Sequence, residues 1–188
     1  MGGGLAWDAA PREWYHGRRL SMKIPLVSAA ALFLFGCAQR PPHDSQPMPG
    51  VDLARYMGRW YEIVRYTQRF ERGCRDVTAD YALRPDGRVA VLNSCRKGEP
   101  PKVKTARAVG WSVDATNSRL RVRFFWPFTG DYWIVGLDPE YRWAMVGSPR
   151  KDYFWLLARE PKLDAGLEAS LFEQARRLGY DPARFERP

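Results

Sequence analysis

The residues through which this sequence could do chemistry are few. Its two histidines, His16 and His43, both precede the stretch where strand patterning begins. The folded domain therefore holds no imidazole. A Ser-His-Asp triad, a histidine-ligated haem and the usual zinc sites drop out of consideration. Glu62 is the odd residue on the inward face of a predicted strand. A carboxylate there could act as a general base, yet neither a nucleophile nor a histidine accompanies it, and a hydrogen-bonding role fits better. Three cysteines remain, Cys37, Cys74 and Cys95. Neither a metal nor a cofactor is expected.

Cys37 is explained by what precedes it. Met22-Lys23 leads into an apolar run over 24–35 that ends at Gly36-Cys37. That run is too short for a membrane span of about 20 residues but suits the apolar region of a secretory signal. Leu34-Phe35-Gly36-Cys37 resembles a bacterial lipobox, in which the cysteine is acylated and becomes the mature N-terminus. Phe35 stands where that pattern usually has a small residue. The chain thus divides into an upstream extension (1–21), a lipoprotein signal peptide (22–36), a Pro- and Gly-rich tether (37–50) and one folded domain (51–188). Met22 is the expected start. Removing 1–36 takes away four basic and two acidic residues and lowers the formal charge from +9 to +7. The remaining Lys and Arg are scattered singly with no stripe along a helix, which argues against nucleic acid. In an oxidising compartment Cys74 and Cys95 are left as a pair.

The elements that must position these residues read as short strands. The first runs over 58–66, and alternation sets Trp60, Glu62, Val64 and Tyr66 on one face. Others follow over 77–83, 89–94, about 106–111, 120–125, 132–137, 143–147 and 154–159. Pro85-Asp86-Gly87 marks a hairpin between the second and third. With aromatics at 14% and no long crossovers, the pattern predicts an all-β domain. Eight antiparallel strands close most simply as an up-and-down barrel, although a sandwich meets the same period. One helix over 164–178, capped by Asp164 and Gly179, carries a narrow apolar stripe that suits packing on the outside of a barrel.

Gly58-Arg59-Trp60, Leu137-Asp138 with Tyr141, and Arg159 resemble the three lipocalin motifs, in order, over about 140 residues. Arg69-Phe70-Glu71-Arg72-Gly73, Val77-Thr78-Ala79-Asp80-Tyr81, Asp138-Pro139-Glu140-Tyr141-Arg142 and Asp152-Tyr153-Phe154-Trp155 are similar to the bacterial outer-membrane lipocalins, relatives of apolipoprotein D. Asp138-x-x-Tyr141 departs from the Thr-Asp-Tyr form of the second motif, as those bacterial members commonly do. The resemblance implies that Gly58, Trp60, Asp138, Tyr141 and Arg159 close one end of the barrel, with the Arg159 guanidinium stacked on Trp60. That role is structural. Cys74 and Cys95 fall at the opposite mouth, close enough for a disulfide if a bulge absorbs a four-residue register offset.

By parity from Trp60, the inward residues are Glu62, Val64 and Tyr66, then Val77, Ala79 and Tyr81, and Val89, Val91 and Asn93. Val122, Phe124, Tyr132, Ile134, Trp155 and Leu157 complete the lining. It suits a ligand with an alkyl chain and a polar head, and a filled core is the competing reading. The resemblance implies a lipid-anchored protein of the outer membrane, facing the periplasm, that stores or transports fatty acids or lysophospholipids for membrane maintenance and is not an enzyme. The alternative is a lipid-modifying isomerase or hydrolase of lipocalin fold that uses Cys74 as a free thiol. A third reading has the Trp126-Pro127-Phe128 loop docking a partner or a second copy as a homodimer.

Overall fold

The computed structural model describes Met48 and residues 50–188. Cys37, the signal segment and most of the tether lie outside the described residues. A short helix α1 (Leu53–Tyr56) precedes eight strands: β1 (Gly58–Arg65), β2 (Arg75–Leu83), β3 (Val89–Lys97), β4 (Lys102–Ser112), β5 (Arg119–Phe125), β6 (Phe128–Leu137), β7 (Trp143–Gly147) and β8 (Phe154–Ala158). Helix α2 (Ala165–Arg177) follows, with a single 3-10 turn at Pro182–Arg184. Every strand pairs antiparallel with its neighbour in sequence, and β8 returns to β1, so the sheet is a closed barrel in chain order. Closure leaves no free edge. The sandwich is excluded.

Alternation divides the apolar residues into two layers. The inner layer gathers Trp60, Val91, Leu120, Ile134, Val146 and Leu157 inside the barrel. The outer layer sets Ile63, Val64, Val135, Met145, Phe154 and Leu156 against α2 through Leu171 and Ala175. All five residues of β7 are buried, because one face meets the interior and the other lies under this outer layer. A Cβ on Gly147 would collide with the Tyr180 hydroxyl, so glycine lets Tyr180 seat there. Asp164 caps α2 by accepting from the amides of Gly166 and Leu167. At the other end Leu178 is the cap, and Gly179 follows it at φ +86°. The amides of Gly179 and Tyr180 return to the carbonyls of Arg176 and Ala175, closing a Schellman motif.

Two irregularities matter for the site. On β1, Glu62 pairs with Leu157 and Val64 with the adjacent Leu156, so Ile63 is one residue too many. Such a bulge inverts the alternation beyond it. Val64 and Tyr66, expected inside, are turned outward into the layer beneath α2. Arg65 pairs with Trp155 instead and bonds to Glu62. On β2, a register shift between Arg75 and Thr78 follows a five-residue connection from Leu83 to Val89, longer than a two-residue turn. Together these absorb the offset between Cys74 and Cys95, which are disulfide-bonded with Cα atoms 5.4 Å apart.

Candidate functional site

One end of the barrel is plugged. Gly58 enters β1 at φ +96°, with the Arg159 side chain 3.2 Å from where a Cβ would stand. Trp60 is fully buried and donates its indole N–H to the Tyr56 carbonyl at 2.9 Å. The Arg159 guanidinium lies 3.8 Å from the centre of the Trp60 ring. Its N–H groups reach the carbonyls of Arg59 at 2.8 Å, Arg55 at 2.9 Å and Tyr141 at 3.2 Å. The Tyr141 hydroxyl accepts from the Asp52 amide at 2.9 Å, which ties the β6–β7 turn to α1. Asp138 accepts from the Arg142 side chain and from the amides of Glu140 and Arg142. Those bonds hold its carboxyl below the usual range, the Arg142 side chain first among them. Hydrogen bonds run from Asp138 through Tyr141 to Arg159, which stacks on Trp60 and packs against Gly58.

Beyond the plug lies a cavity of about 200 Å³. β1 contributes Glu62, β2 Val77, Ala79 and Tyr81, and β3 Val91 and Asn93. β5 adds Val122 and Phe124, β6 Tyr132, and β8 Trp155 and Leu157. Val89 sits deeper, beside a small void that Tyr56, Tyr81 and Tyr132 also border. Ile134 is interior but belongs to the packed core and does not line the cavity. Val64 and Tyr66 are outside for the reason given above. Sequence reasoning missed Phe70 and Glu71 in the β1–β2 loop, Thr78 beside the β2 register shift, Gly130, Asp131 and Tyr153. A loop has no period to read, so no pattern could have placed Phe70 or Glu71.

The polar part of the cavity is a connected cluster. Arg65 donates to Glu62 at 2.7 Å and to the carbonyls of Glu71 and Cys74, each at 3.2 Å. Trp155 donates its indole N–H to Glu71 Oε1 at 3.1 Å. Burial pushes the Glu62 carboxyl up to about 7, the Glu71 charge adds to this, and Arg65 only partly offsets it. Burial raises Glu71 as well, against Trp155 and Arg65. Deeper in, the Tyr132 hydroxyl bonds those of Tyr56 at 2.8 Å and Tyr81 at 3.0 Å. Burial pushes Tyr81 up to about 12. Cys74 and Cys95 are bonded to one another, as expected, so neither sulfur is the free thiol that the enzyme alternative requires. Among the described residues no cluster of His, Cys, Asp or Glu is arranged to hold a metal.

A family model described as the lipocalin-like domain matches residues 51–188, the whole barrel and its helix. The chain belongs to the lipocalin family. This lipocalin is 37% identical to the outer membrane lipoprotein Blc of Escherichia coli K12, covering 86% of this chain and 94% of that protein. It is 34% identical to apolipoprotein D of Macaca fascicularis, over 76% of this chain and 81% of that protein. Among solved structures, insecticyanin from the tobacco hornworm Manduca sexta matches with a TM-score of 0.62 at 16% identity, covering 76% of this chain and 82% of that one. That last likeness bears on the fold alone.

Proposed function

We propose that this lipocalin is a lipid-binding protein of the outer membrane, anchored through Cys37, that carries one fatty acid or lysophospholipid in its barrel for maintenance of the envelope. The observation that carries the reading is the cavity. Its walls are mainly apolar, one end is plugged by Trp60 and Arg159, and polar groups cluster at one side. A mainly apolar pocket with a few converging polar groups is the usual form of a small-molecule site. The likeness to proteins named as outer membrane lipoproteins supports the location. The Cys74–Cys95 disulfide supports carriage over thiol chemistry. The exposed aromatic rim at Phe125, Trp126 and Phe128 supports a homodimer. Mass spectrometry of lipid extracted from the purified protein tests the proposal. One single-chain lipid per barrel is the expected result, and a stoichiometric product of turnover, or no lipid even after loading, would sink it.

A further inference from the structure

Resting on the carrier reading above, we propose that the Glu62–Glu71–Asn93 side of the cavity is a subsite for a hydrogen-bond-donating head group, above all the ammonium of a single-chain amphiphile, and that it turns away a carboxylate. The charge of the lining points this way. Among the described residues, the carboxyl-bearing ones that line the cavity are Glu62, Glu71 and Asp131, and no Lys, Arg or His lines it. Asp131 is paired with Arg121 at 3.1 Å. Arg65 is the cation of the cluster, and it stands behind the wall with its donors engaged. Its Nη1 serves Glu62, its Nη2 the carbonyls of Glu71 and Cys74, and its Nε Thr67. Above the pH of about 7 to which burial pushes Glu62, two carboxylates against one guanidinium leave the cluster acidic, inside a chain whose formal charge is +9. The whole molecule attracts an anion, and the wall of its cavity does not.

The hydrogen-bond inventory agrees. Glu71 Oε2 and Asn93 Oδ1 are both buried without a hydrogen-bond partner, Glu71 Oε2 having only a long ion pair to Arg65 Nε at 4.0 Å, and both residues line the cavity. An unpaired buried acceptor carries the full loss of its hydration. A ligand that brings N–H or O–H donors recovers that loss, whereas a carboxylate brings only more acceptors. The one indole donor on this side, Trp155 Nε1, already serves Glu71 Oε1. In the Tyr56–Tyr132–Tyr81 chain, two bonds among three hydroxyls leave one proton over. That proton is neutral and does not compensate a carboxylate's charge. The fatty-acid half of the expected ligand class therefore fits this wall poorly, and amine- or hydroxyl-bearing single-chain lipids fit it well.

The test uses the lipidated full chain held in a non-ionic amphipol at pH 8, titrated with dodecylamine, dodecanol and dodecanoate while tryptophan fluorescence is followed. Dodecylamine should bind at least about tenfold more tightly than dodecanoate, with dodecanol between them. Glu71→Gln should shrink the amine-to-carboxylate ratio by about fivefold or more. Asn93→Leu, which alters no charge, removes an amide N–H as well as the acceptor, so it should weaken dodecylamine and dodecanol more than dodecanoate, and it serves if Glu71→Gln does not fold. Dodecanoate binding as tightly as dodecylamine, or a ratio untouched in the folded variants, overturns the subsite while leaving the carrier intact. If none of the three saturates a single site, the carrier reading itself falls and takes the subsite with it.

Discussion

Arg159 spends its charge on four carbonyls and one indole face, and among the described residues no carboxylate pairs with it. A guanidinium suits this place because its planar fork can stack and donate at once, which an ammonium cannot. Arg159→Ala should cost roughly 1–3 kcal/mol in denaturant unfolding while leaving the order of preference among lipids unchanged. Stability equal to wild type with selective loss of ligand would mean that the two barrel ends have exchanged roles. Glu62 gives a pH dependence of definite sign. Its folded pKa of about 7 lies above the ordinary 4.5. The native state therefore holds its proton more tightly than the unfolded chain does. This contribution is full below about pH 4.5 and is lost as pH rises through about 7, a loss of order 3 kcal/mol. Glu71 is raised too and adds in the same direction. Unfolding free energy should fall between pH 5 and pH 8, and Glu62→Gln should flatten most of that slope. A slope unchanged in the variant would place the titrating group elsewhere.

At the scale of strands, legibility depended on what a period can and cannot report. Strands β3, β5 and β8 keep alternation where they face the cavity, and β2 does so from Ala79 onward, past its register shift, so Ala79, Tyr81, Asn93, Val122 and Trp155 could be assigned to the inside from sequence. A period gives the face but not the depth along the barrel axis. Ile134 and Val89 are inside, yet they sit below the cavity floor. Past Glu62 the reading failed because Ile63 is a bulge. In Glu62-Ile63-Val64-Arg65-Tyr66 the apolar residues adjoin one another, and both faces of β1 are buried there, so pattern alone cannot show the extra residue. Its consequence is a buried Arg65 beside Glu62, the origin of the polar cluster. The cysteines were legible as a pair, since export leaves them no other partner. Their bond joins the β1–β2 loop to the far end of β3. Replacing both with serine should lower stability by roughly 2–4 kcal/mol. Calorimetry would read the loss, and one saturable lipid site should survive it. Thiol titration of the unreduced, unfolded protein should find neither Cys74 nor Cys95 free. If both titrate, and alkylating them abolishes turnover of a bound lipid, the thiol-enzyme alternative returns.

For the whole molecule, the two ends of the barrel differ in what they show to solvent. The closed end is tied off by hydrogen bonds. The β5–β6 hairpin at the mouth exposes Phe125 (66%), Trp126 (81%) and Phe128 (67%), with the two phenylalanine rings edge to face at 5.5 Å. A contiguous aromatic patch of this kind usually marks a contact surface. The anchor has its own check: Cys37→Ala should leave the protein unprocessed or release it from membranes, as fractionation and gel mobility would show. The proposed homodimer can be tested against the charge of the chain. Two copies of a chain of formal charge +9 repel one another, while burial of the rims attracts them. Screening weakens the repulsion between exposed charges and leaves the apolar term in place. Sedimentation velocity should therefore show a dimer whose dissociation constant tightens as salt rises from about 0.05 to 0.5 M. Trp126→Ser with Phe128→Ser should return the protein to monomer at every salt concentration without changing lipid affinity. A dimer that persists in that variant would use another face, and a wild type monomeric throughout would leave the rim with some partner other than a second copy.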